Sequence, residues 1–131
     1  MISKGEAKIA SILDASNIKY SREKTFSDLK GGLFRFDFYL PDVWPQTVIE
    51  FNGEQHYHQI KRFHKQYRDF QRTQEHDRRK ISYCLANDIL IFVIPYWDLD
   101  RINTSEDLFD PRYIAHTRWH NDREWAKKKD R

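Results

Sequence analysis

The chain has 131 residues, with 23 Lys and Arg against 20 Asp and Glu, a net charge of +3 and a pI near 9.0. That length fits one domain with one core, for which nine Phe, seven Tyr and four Trp supply material. No run approaches the roughly 20 apolar residues of a membrane span, the N-terminus shows no apolar leader, and a single cysteine, Cys84, excludes an internal disulfide or a cysteine-rich zinc cluster. A protein of a reducing cytosol is the expectation.

Ser3 to Glu6 reads as a capped helix start, with Ile9, Ile12 and Leu13 at helical spacing to about Ala15. Ile18 to Glu23 is expected as a strand, and Asp28 to Gly32 as a turn. Leu33 to Leu40 alternates, with Phe34, Phe36, Phe38 and Leu40 assigned to one face and Arg35, Asp37 and Tyr39 to the other. Pro41 ends that strand, and Thr47 to Asn52 is the next. From about Phe63 to Asn87 the period becomes helical, since Phe63, Phe70, Asp77 and Cys84 recur every seventh residue. Ile89 to Ile94 is a continuous apolar run of the kind buried on both faces of a sheet. A short helix is expected over Trp119 to Lys128. The order α-β-β-β-α-β predicts an α/β fold with a mixed sheet flanked by helices, and no linker divides it.

Four carboxylates stand where carboxylates are disfavoured. Asp77 lies on the apolar stripe of the second helix, so the helix aims it inward, and a buried charge needs a metal, a histidine or an arginine beside it. The alternative is a local rotation that lets it reach solvent. Glu6 lies on the stripe of the first helix, although it also completes the cap with Ser3. Asp37 and Glu50 are mid-strand; if their strands pair, both point to one face and repel unless a cation lies between them. Hard oxygen donors suit Mg²⁺. Just past the strand, His56 is a candidate base or a partner for Asp77. A zinc pair of His56 and His58 lacks a suitably placed third ligand. Lys61, Arg62, Lys65 and Arg68 form one basic group, Arg72, Arg78, Arg79 and Lys80 a second, and Lys127, Lys128, Lys129 and Arg131 a third. Each reads equally as a phosphate-binding patch or a solvated face.

GEAKI at 5–9, RFDFYLP at 35–41, IEFNGEQHY at 49–57, HDRRK at 76–80 and ILIFVIPYW at 89–97 together resemble the PD-(D/E)XK nuclease superfamily. The branch is similar to the very-short-patch-repair-like endonucleases and the phage homing endonucleases named for an E-D-x-H-D motif. The resemblance implies a restriction-endonuclease-like αβββαβ core over about residues 3–97, with 98–131 as a C-terminal extension of a single 1–131 domain. It implies a Mg²⁺-dependent DNA endonuclease of phage or homing type, Mn²⁺ substituting, monomeric or homodimeric, working in the host cytosol if phage-encoded.

By that resemblance Asp37 and Glu50 hold the metal, and His56, oriented by Asp77, takes a proton. Glu6 holds a water or a second metal, and Lys61, Arg62, Lys65, Arg68 and Lys80 touch backbone phosphates. Glu54 is a further ligand if the strand extends past Gly53; Glu54 and Gln55 read equally as turn residues. Asn52 stands where the superfamily places a lysine, so Lys80 or His56 must supply that cation. One cysteine cannot build the structural zinc site of short-patch repair enzymes. Three rivals remain: an inactive nuclease-fold binding protein, a ββα-metal nuclease using His56 with His64 or His76, and an interaction domain docking through Trp97, Trp119 and Trp125.

Overall fold

The computed structural model describes residues 3–115. Four strands form one mixed sheet: β1 (Ser21–Thr25), β2 (Arg35–Leu40), β3 (Thr47–Asn52) and β4 (Leu90–Pro95), in spatial order β1-β2-β3-β4. β1, β2 and β3 are antiparallel neighbours, whereas β4 lies parallel to β3. Only a crossover can deliver a parallel neighbour, and the helix α2 (Tyr67–Ala86) makes it. The first helix, α1 (Lys4–Ala15), begins at Ser3, whose hydroxyl accepts from the Glu6 N–H.

The sheet separates two apolar clusters. Ile9, Ile12 and Leu13 of α1 pack on Phe38, Leu40, Ile49, Phe92 and Ile94. On the opposite face Ile81 and Cys84 of α2 pack with Phe36, Val48, Ile91 and Val93. This is the expected α/β architecture, with a mixed sheet flanked by helices.

Four expectations are corrected. The first strand begins three residues later than the apolar Ile18 suggests, because Ile18 N–H closes α1 by bonding Leu13 O at 2.9 Å. The second helix starts at Tyr67 rather than near Phe63: the Gln66 N–H bonds Asp69 Oδ2 at 3.0 Å in a capping box. Phe63 therefore lies in the preceding loop and is exposed. Phe34, Phe36, Phe38 and Leu40 do not share one face, since Phe38 and Leu40 join the α1 cluster while Phe34, just before β2, and Phe36 join that of α2. The change falls at Asp37, opposite Glu23 of β1, which adopts φ 53°; there the paired register of β2 with β3 stops at Phe38 and Ile49. Finally, described residues beyond 97 contribute to the core. Ile102, Leu108 and Tyr113 are buried in the α1 cluster, and α3 (Ser105–Leu108) leads to an antiparallel bridge of Ile114 with Phe92. The expected helix at 119–128 and the basic group at 127–131 lie outside the described residues.

Candidate active site

The site forms where β2 and β3 part. Asp37 and Glu50 sit across that gap, and each carboxylate replaces a missing ladder bond. Asp37 N–H donates to Glu50 Oε1 at 2.7 Å, and Phe51 N–H donates to Asp37 Oδ2 at 2.8 Å. Both carboxylates are thus locked by the opposite strand's backbone. Glu50 is buried on the α2 face, beside Val93 of β4. Burial, and after it the Glu50 charge, push the Asp37 carboxyl up to about 8, against the Phe51 N–H and Lys80, which pull it down.

Lys80 reaches this pair from α2. Its Nζ bonds Glu50 Oε2 and donates to the Arg35 carbonyl at 2.5 Å, and it lies 4.8 Å from the centre of the Phe36 ring. Burial alone would lower the ammonium's pKa, but the Glu50 charge and hydrogen bond outweigh it and hold it above its ordinary value. Glu50, Asn52, Asp77 and Lys80 line one small pocket between α2 and the sheet. Asn52 is buried two residues after Glu50, on the same face by the strand's period of two. Lys80 thus brings a cation from α2 to the pocket that Asn52 lines from β3.

Asp77 is buried on the helix face that carries Phe70, Ile81 and Cys84, as its spacing predicts. Its Oδ2 lies 2.8 Å from His56 Nδ1. His56 itself ends the short 3-10 turn Glu54–His56 that follows β3. An imidazole that donates from Nδ1 to a carboxylate presents its Nε2 as the basic nitrogen.

On the α1 side Glu6 serves both expectations at once. Its Oε2 accepts from the Ser3 hydroxyl at 2.9 Å, completing the cap, and its Oε1 pairs with Arg22 at 2.7 Å. Arg22 also donates from Nε to the Asp37 carbonyl at 3.1 Å and stacks 4.4 Å over the Phe38 ring. Sequence reasoning missed Arg22. Its signal is faint: the half-buried positions of SREKT alternate with exposed ones, so Arg22 and Lys24 point inward on an edge strand.

Glu54 is exposed in the turn beyond β3, away from a strand extension, and Gln55 folds back over Gly53. Lys61, Arg62, Lys65 and Arg68 are all exposed along the loop from the turn into α2. Lys80 leaves the basic surface group it was assigned to and is paired in the interior. His64 is buried, with Nδ1 accepting from Ile60 N–H at 3.0 Å and Nε2 at 3.2 Å from Thr73 Oγ1. It ties the basic loop to α2 and is not available as a ligand. His76 packs on Phe34 at 4.8 Å. Trp97 is half-buried against Tyr57 at 4.6 Å rather than displayed for docking; Trp119 and Trp125 lie outside the described residues.

Among the described residues no three His, Cys, Asp or Glu side chains gather as a metal cage. Mg²⁺ does not require one, since it is commonly held by one or two carboxylates with water and substrate phosphate. Asp37 and Glu50 are the two hard-oxygen carboxylates such a site would draw on; both Glu50 oxygens already accept hydrogen bonds, from the Asp37 N–H and Lys80, and Asp37 Oδ2 accepts from the Phe51 N–H. Among the described residues no helix is long and apolar enough to cross a membrane.

No family model and no solved structure matches the chain. It is similar to "Uncharacterized protein 307L" of Invertebrate iridescent virus 6, 35% identical over 69 residues. That similarity takes in 51% of this chain but spans only about a third (34%) of the viral protein.

Proposed function

We propose that this protein is a metal-dependent DNA endonuclease built on a restriction-endonuclease-like core, hydrolysing phosphodiester bonds at the parting of β2 and β3. The observation that carries the reading is the paired lock of Asp37 and Glu50 across that gap. Two acidic side chains are held in buried proximity by backbone N–H groups, which is costly for folding and useful for gathering a cation. The αβββαβ order and the pairing of β3 with β4 support the same reading.

Asp37 and Glu50 would hold Mg²⁺ or Mn²⁺. When bound there, the ion neutralises charge developing on the phosphate and makes water more acidic. His56, fixed by Asp77 at Nδ1, accepts a proton at Nε2 and so favours attack by water. Lys80 supplies positive charge beside Glu50, in the role that a lysine at position 52 would have filled. Arg22 of β1 braces the Asp37 backbone and is itself held by Glu6 of α1. Lys61, Arg62, Lys65 and Arg68 attract and position the phosphate backbone without reading sequence.

A second reading, a nucleic-acid-binding protein of the same fold without catalysis, draws on the Lys80–Glu50 ion pair, which occupies one of the two metal carboxylates. Supercoiled plasmid decides between them. The endonuclease relaxes or linearises it with Mg²⁺ or Mn²⁺, and Asp37→Ala and His56→Ala abolish that. Relaxed circles mean single-strand nicks, and early linear product means paired cuts. Salt-sensitive binding that persists in both variants, with no cleavage by the unsubstituted protein, refutes catalysis.

A further inference from the structure

Beside the carboxylate lock, on the α1 face of the sheet, lies a cavity of ≈ 270 Å³ whose residues the proposed chemistry does not use up. Phe51, Ile60 and Phe63 form its apolar walls, and Glu54, Gln55 and Arg62 its polar edge. Phe63 is 52% exposed and contributes to neither core cluster. An exposed aromatic ring at the mouth of a cavity loses solvation to no structural end. The Arg62 guanidinium lies 5.0 Å from the centre of that ring, so ring and cation present one mixed aromatic and positive surface. Gly5 lets Phe51 lie against α1, because a Cβ there would run into the ring.

Phe51 joins this cavity to the lock. Its N–H holds Asp37 at 2.8 Å while its ring walls the cavity. Glu6 also borders the cavity and reaches the Asp37 carbonyl through Arg22. Phe51 and Arg22 thus set the cavity beside Asp37, while Glu50 faces α2, so a strand whose phosphate lies at Asp37 passes the cavity. Lys61 and Lys65 are exposed on the loop that carries Phe63, and Arg68 is exposed in the first turn of α2, so the approach to the cavity favours a polyanion.

Resting on the nuclease reading, we infer that this cavity captures an unstacked nucleobase next to the scissile phosphate, and that it favours bases bearing an exocyclic amine. Three features select that occupant. Aromatic walls suit a flat heterocycle, since every base has a stacking face. The Glu54 carboxylate accepts hydrogen bonds and donates none, so it pairs with the amino group of cytosine, adenine or guanine. Thymine offers no such amine, and its one edge donor, N3–H, lies between two carbonyl oxygens that the carboxylate repels. A duplex keeps its bases stacked and paired, so the substrate class is DNA with an unpaired or extrudable base at the cut: a single strand, a junction or a distorted duplex.

The test is fluorescence anisotropy with labelled single-stranded oligo-dC, oligo-dA and oligo-dT of equal length, in EDTA so that binding is read without turnover. The unsubstituted protein binds dC and dA about tenfold more tightly than dT. Phe63→Ala weakens all three by about tenfold, the order expected for one stacking platform, and Phe63→Tyr keeps the affinity. Glu54→Gln, which adds a donor, reduces the preference over dT. Urea unfolding checks that each variant is folded, as expected for changes at exposed positions. Equal affinity for the three oligonucleotides, or Phe63→Ala binding like the parent, overturns the base pocket; if the plasmid is still cut, the nuclease reading survives. Absence of both oligonucleotide binding and plasmid cleavage overturns both.

Discussion

Asp37→Asn should stabilise the metal-free protein while destroying its activity. The Asp37 carboxyl is pushed from an ordinary value of 3.8 up to about 8 by burial and by Glu50. The folded state therefore retains a proton that the unfolded chain releases across that interval, and stability falls as pH rises from about 4 to about 8. At pH 7 the folded chain has lost about three pH units of this, at about 1.4 kcal/mol each, or roughly 4 kcal/mol. Asparagine carries no charge to desolvate, and its side-chain oxygen can still accept from the Phe51 N–H. Urea unfolding of both proteins in EDTA at pH 5, 7 and 8.5 measures the effect. The parent should weaken across the series, and Asp37→Asn should stay nearly level and exceed it by roughly 2–4 kcal/mol at pH 7. Saturating Mg²⁺ should narrow that gap by stabilising the parent alone. A parent whose stability is flat or rises from pH 5 to 8.5, with no gain in Asp37→Asn, would refute the strained carboxylate pair.

The His56–Asp77 contact predicts that His56→Ala slows plasmid cleavage by about 10²- to 10⁴-fold, the usual worth of a positioned base. Asp77→Asn, which keeps the shape but not the charge beside His56, should lower the same initial rate by a smaller factor. Lys80→Met leaves Glu50 buried without its partner and should cost about 3–5 kcal/mol in urea at pH 8. The double variant Lys80→Met with Glu50→Gln should recover much of that loss, and a double-mutant cycle that shows no coupling between the two positions would contradict the buried ion pair.

Local chemistry made much of this protein legible from sequence. Ser3 and Glu6 announced the first helix, Thr47–Asn52 was bounded as observed, and the apolar run at 89–94 announced a strand covered on both faces. The inward aim of Asp77 followed from helical periodicity alone, because side chains seven apart stack on one face whatever the helix packs against. Alternation failed in β2, where Phe36 and Phe38 serve opposite clusters, since a period of two holds only while the strand stays paired and evenly twisted. The helix start near Phe63 was misread because a spaced aromatic fits a stripe equally well when a capping box excludes it.

The pairings inside the site needed the tertiary structure. Lys80 in a run of basic residues looks like a surface cation, and only the approach of α2 to β3 brings it onto Glu50. Arg22 carries no motif, yet the β1–β2 register sets it between Glu6 and Asp37. Residues 98–115 carry too few periodic apolar positions to declare a fold, but Ile102, Leu108 and Tyr113 close the α1 cluster. Sequence determines which faces are apolar and which charges are out of place, because those are properties of one segment and its period. Which charge compensates which is decided by the crossing of segments far apart in the chain, where burial makes an unpaired charge too costly to leave.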